Sequence, residues 1–191
     1  DDGSYRELVD HFDISSNKNK IIPPTDLWAA VSFKRWEHIY SFIKKKTSVL
    51  DKEDLKMLDY GGYNGFLSYA FNQKNKIKSF VADMDPQGLK MAKFLGSETI
   101  NLRNETIEEL NFDLITFVHV LEHLDNSKNI LEGIKKKLSD DGIIYAEVPN
   151  LYGFPLTDES HKTTFTIYSL NKLFKEAGYN IIDYGYATTP K

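Results

Sequence analysis

The stretch MLDYGGYNGFLSYAF, residues 57–71, decides the fold. Met57 and Leu58 lead to Asp59 and Tyr60. Two adjacent glycines, Gly61 and Gly62, then a third at Gly65, separate this apolar run from a second run starting at Phe66 with helical spacing. The pattern is strand, glycine turn, helix. Glycine at the carboxyl end of a strand admits positive φ and lets a ligand approach the backbone. In an open parallel sheet, ligands bind beyond those strand ends. The dinucleotide fingerprint G-x-G-x-x-G would require glycines at 61, 63 and 66, where the chain has Gly61, Tyr63 and Phe66, so that class is excluded. No Gly-Lys-Ser/Thr follows, which excludes a P-loop. Asp59, two residues before the first glycine, favours a ligand with a cationic group over a pyrophosphate. Taken alone, the stretch is also consistent with a tight strand-to-helix turn that binds nothing.

Working outward, apolar runs of strand length alternate with helical stretches. Strands are predicted at KMLDY (56–60), IKSFVAD (77–83), weakly at ETINL (98–102), then FDLITFV (112–118), GIIYAEVP (142–149) and YNIIDYGYA (179–187). Helices are predicted at 64–73, 86–96, 126–138 and 167–178, with a longer one from a Thr25 or Asp26 cap to about Lys46. Alternation of this kind implies parallel strands joined by right-handed crossovers: a doubly wound, mainly parallel α/β sheet with helices on both faces. The Lys-Lys-Lys runs at 44–46 and 135–137 read as solvated helix ends, where cations suit the helix dipole.

A second ligand signal follows the second strand. That strand ends in Asp83, 24 residues after Asp59, where a carboxylate can accept from both hydroxyls of a ribose. Such charge-assisted hydrogen bonds contribute roughly 1.5–3 kcal/mol each. Met84 would sit beside a flat base as an adaptable apolar plate. Asp83 and Asp85 can each cap the helix that Pro86 opens, so the two aspartates can divide the capping and binding roles.

Composition sets the outer limits. The chain has 191 residues, 41% hydrophobic and 27% charged, with a formal charge of -4. No basic field argues for nucleic acid. There are no cysteines, which excludes disulfides and thiolate chemistry and fits a reducing, cytoplasmic setting. No apolar run approaches the roughly 18 residues of a membrane span. The length suits one domain, read as an N-terminal arm and lid helix over 1–50 and a binding domain over 51–191. A chain opening at Asp1 reads as a piece of a longer protein.

Leu58-Asp59-Tyr60-Gly61-Gly62-Tyr63-Asn64-Gly65 resembles the apolar-Asp-x-Gly-x-Gly-x-Gly motif of class I S-adenosylmethionine-dependent methyltransferases, with Tyr63 replacing the middle glycine and Gly62 extra. FDLITFVHVLEHLDN (112–126), LSDDGIIYAEVPN (138–150) and HKTTFTIYSLNKLFKEAGY (161–179) resemble later motifs of the same family, in order. RWEHI (35–39) is similar to a segment of the ubiquinone-biosynthesis O-methyltransferases. The resemblance implies a Rossmann-like methyltransferase sheet and S-adenosyl-L-methionine as cofactor. Arg35 would reach the cofactor carboxylate. Asp59, Gly61, Gly62, Tyr63 and Gly65 would wrap the methionine end. Asp83 and Met84 would hold the adenosine, with Thr106 and Ile107 flanking adenine. Phe117, Val118 and His119 would form the floor beneath the methyl group, and Trp28, Phe33 and Trp36 a lid or acceptor wall. The family's seventh strand has no counterpart after residue 187, which leaves a sheet edge for a partner strand or an oligomer contact.

The histidines carry the remaining chemistry. HVLEH (119–123) has the H-x-x-E-H spacing of inverted zinc proteases, but it sits at a strand end rather than on a helix face, so that class is rejected. The same segment resembles the E-x-x-E-H of ubiquinone-biosynthesis and small-RNA methyltransferases. This implies a divalent metal held by His119, Glu122, His123 and His161, a set suited to a transition metal. The metal-free alternative makes His123 or His161, beside Glu122, the base that takes the proton of an acceptor hydroxyl. His11 and His38 read as structural. The expected acceptor is a small molecule or sugar. The rival readings are a binding or scaffold protein of the same fold and a metal-dependent RNA methyltransferase.

Overall fold

The computed structural model describes residues 27–74, 77–108, 111–152 and 159–187, without the side chains of 27–33. The expected caps Thr25 and Asp26, the side chains of Trp28 and Phe33, and His11 lie outside them.

The elements are α1 (Leu27–Lys46), β1 (Lys56–Tyr60), α2 (Phe66–Lys74), β2 (Lys78–Asp83), α3 (Pro86–Phe94), β3 (Glu98–Asn101), β4 (Phe112–Val118), α4 (Ser127–Lys135), β5 (Leu138–Glu147) and α5 (Ile167–Glu176), with short 3-10 turns at Val49–Asp51 and Leu121–His123. Among the described residues the five strands lie in the order β3-β2-β1-β4-β5. Every pairing is parallel. The order reverses at β1, so the crevice beside its carboxyl end is the topological switch point where such folds bind ligands.

Period-two alternation sends successive strand residues to opposite faces. Met57 and Leu114 join Ile39, Ile43, Phe66 and Phe71 in one core layer under α1 and α2. Leu58 and Ile115 join Leu131, Phe165 and Phe174 under α4 and α5. Phe66, Phe71, Met57 and Leu58 are fully buried, each stabilising the fold by roughly 1.5–3 kcal/mol. The helix starts are chemically specified. Asp85 caps α3, accepting from the backbone N–H of Gln87 at 2.7 Å and Gly88 at 3.1 Å, with Pro86 at the first turn. Thr166 and Ser169 form a reciprocal capping box at α5.

Three expectations are corrected. The segment 179–187 is not a strand: among the described residues 180–187 joins no ladder, Tyr179 instead donates its hydroxyl to the Leu131 carbonyl at 2.6 Å, and Asp183 pairs with Lys46 of α1 at 2.8 Å. Alternation alone cannot make a strand without an adjacent edge to bond, and these side-chain ties hold the segment elsewhere. β5 begins at Leu138 rather than Gly142, because a register irregularity between Phe112 and Leu114 absorbs the intervening residues. Gly142 makes this passage possible, since a Cβ there would lie 2.6 Å from the Phe112 carbonyl oxygen. Trp36 is core rather than lid: it is 6% exposed and packs edge-on to Phe71.

Candidate functional site

The glycine turn after β1 is a packed junction. Gly61 and Gly65 adopt φ of +72° and +74°. A Cβ on Gly61 would meet Val120 at 2.5 Å, and one on Gly65 would meet Ala92 of α3 at 2.7 Å. Gly62 leaves room for the Asp59 carboxyl, which lies 2.6 Å from where a Cβ would be. Tyr63 takes φ of +46°, a left-handed backbone uncommon outside glycine, while its ring lies over Gly88.

Asp59 is 2% exposed and lies under this turn. It accepts from Thr116 Oγ1 at 2.7 Å and Ser68 Oγ at 3.3 Å. Burial pushes its pKa up to about 6, opposed by those two hydroxyls and aided by the negative charge of Asp83. Asp83 joins the two loops: Oδ2 accepts from the Tyr63 backbone N–H at 2.9 Å and Oδ1 from that of Asp85 at 2.8 Å. Each carboxylate oxygen retains a further lone pair. Met84 is exposed beside it. Thr106 lines an open groove of about 520 Å³ with Phe80, Ile100 and Glu105 beside β3, whereas Ile107 packs into the second core layer.

At the end of β4 the three expected floor residues separate. Phe117 is fully buried and stacks on Tyr60 at 4.9 Å between ring centroids, so it faces core. Val118 is half-buried against the first core layer. His119 takes φ of +55° and turns into a charged cluster. Its Nδ1 lies 3.3 Å from Glu122 Oε1 and its Nε2 lies 3.4 Å from Glu147 Oε1. Arg35 reaches this cluster from α1, with Nε 3.4 Å from Glu147 and Nη2 3.1 Å from His119 Nε2. The Tyr145 hydroxyl donates to Glu147 Oε2 at 3.3 Å. Burial pulls the His119 imidazole down, but Glu122 and Glu147 outweigh it and raise its pKa to about 9, against the positive charge of Arg35. Glu122 and Glu147 thus face the two ring nitrogens of His119, and Arg35 and His119 share Glu147. Burial pushes Glu147 up, but His119 and Arg35 hold it below the usual carboxylate range.

Beyond His119, the loop before α5 folds onto the Leu121–His123 turn. The backbone N–H groups of Lys162 and Thr163 donate to the Glu122 carbonyl at 2.7 and 3.1 Å. This brings His161 to His123, with ring centroids 4.8 Å apart. Glu122, His123 and His161 offer ligand atoms within 4.8 Å of one another; His119 is outside that set, engaged by Glu147 and Arg35. The Glu122 carboxylate is buried, and neither oxygen reaches full hydrogen-bond geometry with a described residue; the His119 contact at 3.3 Å is electrostatic. A buried carboxylate so poorly bonded is costly, and a second cation would relieve it. Two imidazoles and one carboxylate fit a transition metal.

Glu147 and Tyr145 were missed in the sequence. They lie in an ordinary strand pattern, and only the register of β5 against β4 reveals their partners.

A family model described as a methyltransferase domain matches residues 32–184. The chain belongs to that family. A ubiquinone biosynthesis O-methyltransferase of Haemophilus ducreyi is 28% identical over 124 residues, covering 58% of this chain and 51% of the relative. The chain thus matches about half the length of that relative. Among solved structures, a SAM-dependent methyltransferase from Archaeoglobus fulgidus superposes with a TM-score of 0.60 at 18% identity, covering 81% of this chain and 75% of the other. A plantazolicin methyltransferase in complex with SAH gives 0.61 at 15% identity, covering 93% and 70%. At these identities the structural likeness speaks for the fold. Among the described residues no helix is long and apolar enough to cross a membrane.

Proposed function

We propose that the protein is an S-adenosylmethionine-dependent methyltransferase acting on a hydroxyl of a small molecule or sugar, within a domain spanning 51–191 and in the reducing cytoplasm that a cysteine-free chain suits. The observation that carries the reading is the Asp83 carboxylate. It bridges the glycine turn and the start of α3 at the switch point of the sheet, with lone pairs left for a ribose. Membership of the methyltransferase domain family supports it.

The cofactor, when bound, supplies a methyl group on a sulfonium whose sulfur departs as a neutral thioether, so no acid is needed for the leaving group. The protein contributes alignment, which through effective molarity is worth up to about 7–11 kcal/mol. Gly61, Gly62, Tyr63 and Gly65 border the methionine end, with Asp59 bracing them from beneath. Met84 stands on the adenosine side. Val118 and His119 lie at the end of β4. His123 is the base in the metal-free reading. Its Nδ1 lies 3.1 Å from the Ser160 carbonyl oxygen, so the tautomer with Nδ1–H donating leaves Nε2 to take a proton. His161 stands against it.

The buried Glu122 carboxylate supports a second reading, in which Glu122, His123 and His161 hold a divalent metal. Such an ion would lower the pKa of an acceptor hydroxyl, and the histidines would then be ligands rather than bases. The net charge of -4 weighs against an RNA acceptor.

Calorimetric titration of S-adenosylhomocysteine tests the reading. Micromolar binding is expected in the wild type, lost in Asp83→Ala while circular dichroism shows the fold retained. No binding at millimolar ligand would refute it and favour a scaffold protein that keeps only the fold.

A further inference from the structure

We propose that Glu147 is the positioning residue for the amino-acid end of the cofactor: it holds Arg35 in place so that the unused guanidinium N–H groups receive the cofactor carboxylate. The inference rests on the S-adenosylmethionine reading above.

The β4–β5 ladder brings the parts together. Val118 pairs with Glu147, and the next residue, His119, donates its backbone N–H to the Glu147 carbonyl at 2.8 Å. In this register Val118 shares a face with Glu147, and the left-handed backbone of His119 turns its ring to within 3.4 Å of Glu147. Arg35, 84 residues from His119 in sequence, arrives from α1 on the other side of the cluster. Val120, immediately after His119, is the residue that a Cβ on Gly61 would strike, so this turn lies against the glycine turn. The charged cluster thus borders the place where the methionine end would sit.

Glu147 is built for holding. Its side chain is only 18% exposed and is contacted by three groups from three positions: Arg35 Nε, His119 Nε2 and the Tyr145 hydroxyl. A carboxylate so placed is stable only with such partners. The planar guanidinium has five N–H donors in a fixed fork. Nε faces Glu147 and Nη2 faces His119, while Nη1 contacts no acceptor among the described residues. With the Arg35 side chain 29% exposed and one nitrogen without an acceptor among the described residues, the guanidinium is neither a solvated surface cation nor a saturated one. Glu147 fixes its inner edge and leaves the outer edge for an incoming carboxylate, the bidentate geometry for which arginine is suited. His119, whose backbone is left-handed, closes its other side.

The test compares two ligands that differ only at the amino-acid end. S-Adenosylhomocysteine and 5′-deoxy-5′-methylthioadenosine are titrated into wild type, Glu147→Gln, Arg35→Gln and the double variant, with thermal melts confirming folding. Glu147→Gln is expected to weaken S-adenosylhomocysteine at least tenfold and leave methylthioadenosine within twofold. The double variant is expected to bind S-adenosylhomocysteine no more weakly than Arg35→Gln alone, because one residue acts through the other. Equal losses for both ligands, additive losses, or tighter S-adenosylhomocysteine binding by Glu147→Gln would overturn the proposal. If Glu147→Gln does not fold, Glu147→Asp replaces it, with the same selective loss expected and the same results overturning it. A wild type that binds neither ligand overturns the cofactor reading itself; a wild type that binds both, with Glu147→Gln unchanged, overturns only the role of Glu147.

Discussion

Asp59→Asn is the substitution whose consequence follows most directly from the structure. The carboxyl is 2% exposed, and burial carries its pKa from the ordinary 3.8 to about 6. The folded protein therefore holds this proton more tightly than the unfolded chain. Between pH 4 and 6 the folded state binds more protons, so stability from this group falls as pH rises. At about 1.4 kcal/mol for each pH unit separating the two values, the loss approaches about 3 kcal/mol, fully expressed above pH 6. The amide of the variant carries no charge to bury, yet its carbonyl oxygen can still accept from Thr116 and its N–H can donate to Ser68. The variant should match the wild type near pH 4 and exceed it by up to about 3 kcal/mol at pH 7, roughly 6–12 °C in melting temperature for a chain of this size. Other titrating groups are common to both proteins and cancel in the difference. Urea unfolding of both from pH 4 to 8 measures it. A difference that stays flat across this window would refute the account of Asp59. If the charge is kept for an ammonium group on the ligand, the same variant should bind S-adenosylhomocysteine more weakly while being more stable, the trade expected of strain held at a functional site.

Gly65→Ala should destabilise by about 2–5 kcal/mol in chemical denaturation. A non-glycine residue at φ +74° costs about 1–2 kcal/mol, and a Cβ 2.7 Å from that of Ala92 adds overpacking of about 1–3 kcal/mol that backbone must absorb. For the second reading of the histidine cluster, elemental analysis of purified protein should find one divalent ion per chain; Glu122→Gln or His161→Ala should release it while the circular dichroism spectrum is kept. Wild-type protein without bound metal, and unable to take up zinc or manganese on dialysis, would leave His123 as base.

Short-range chemistry was legible in the order of the residues. Apolar periodicity placed β1 at residues 56–60 and β4 at 112–118 to the residue. Pro86 after Asp85 marked the start of α3, and the two aspartates divide the work: Asp85 caps while Asp83 ties loop to loop. The glycine spacing after β1 located the turn, since positive φ and close packing at Gly61 and Gly65 leave little choice of residue. Tyr63 shows the limit of that logic: the packed junction imposes a left-handed backbone on a residue that would not choose it. Which groups meet was settled by packing. Trp36 looked the same as a lid or a core residue until α1 was laid on α2. YNIIDYGYA alternated like a strand, but strand character is completed by a neighbour's hydrogen bonds, and among the described residues none pairs with the segment. Arg35, His119 and Glu147 come from three elements, and their meeting depends on the register of β4 against β5 and on how α1 crosses their ends. Local pattern sets backbone conformation one turn or one strand at a time. Charge pairing and the burial that shifts a pKa depend on distances across the whole core, and those exist only once it has packed.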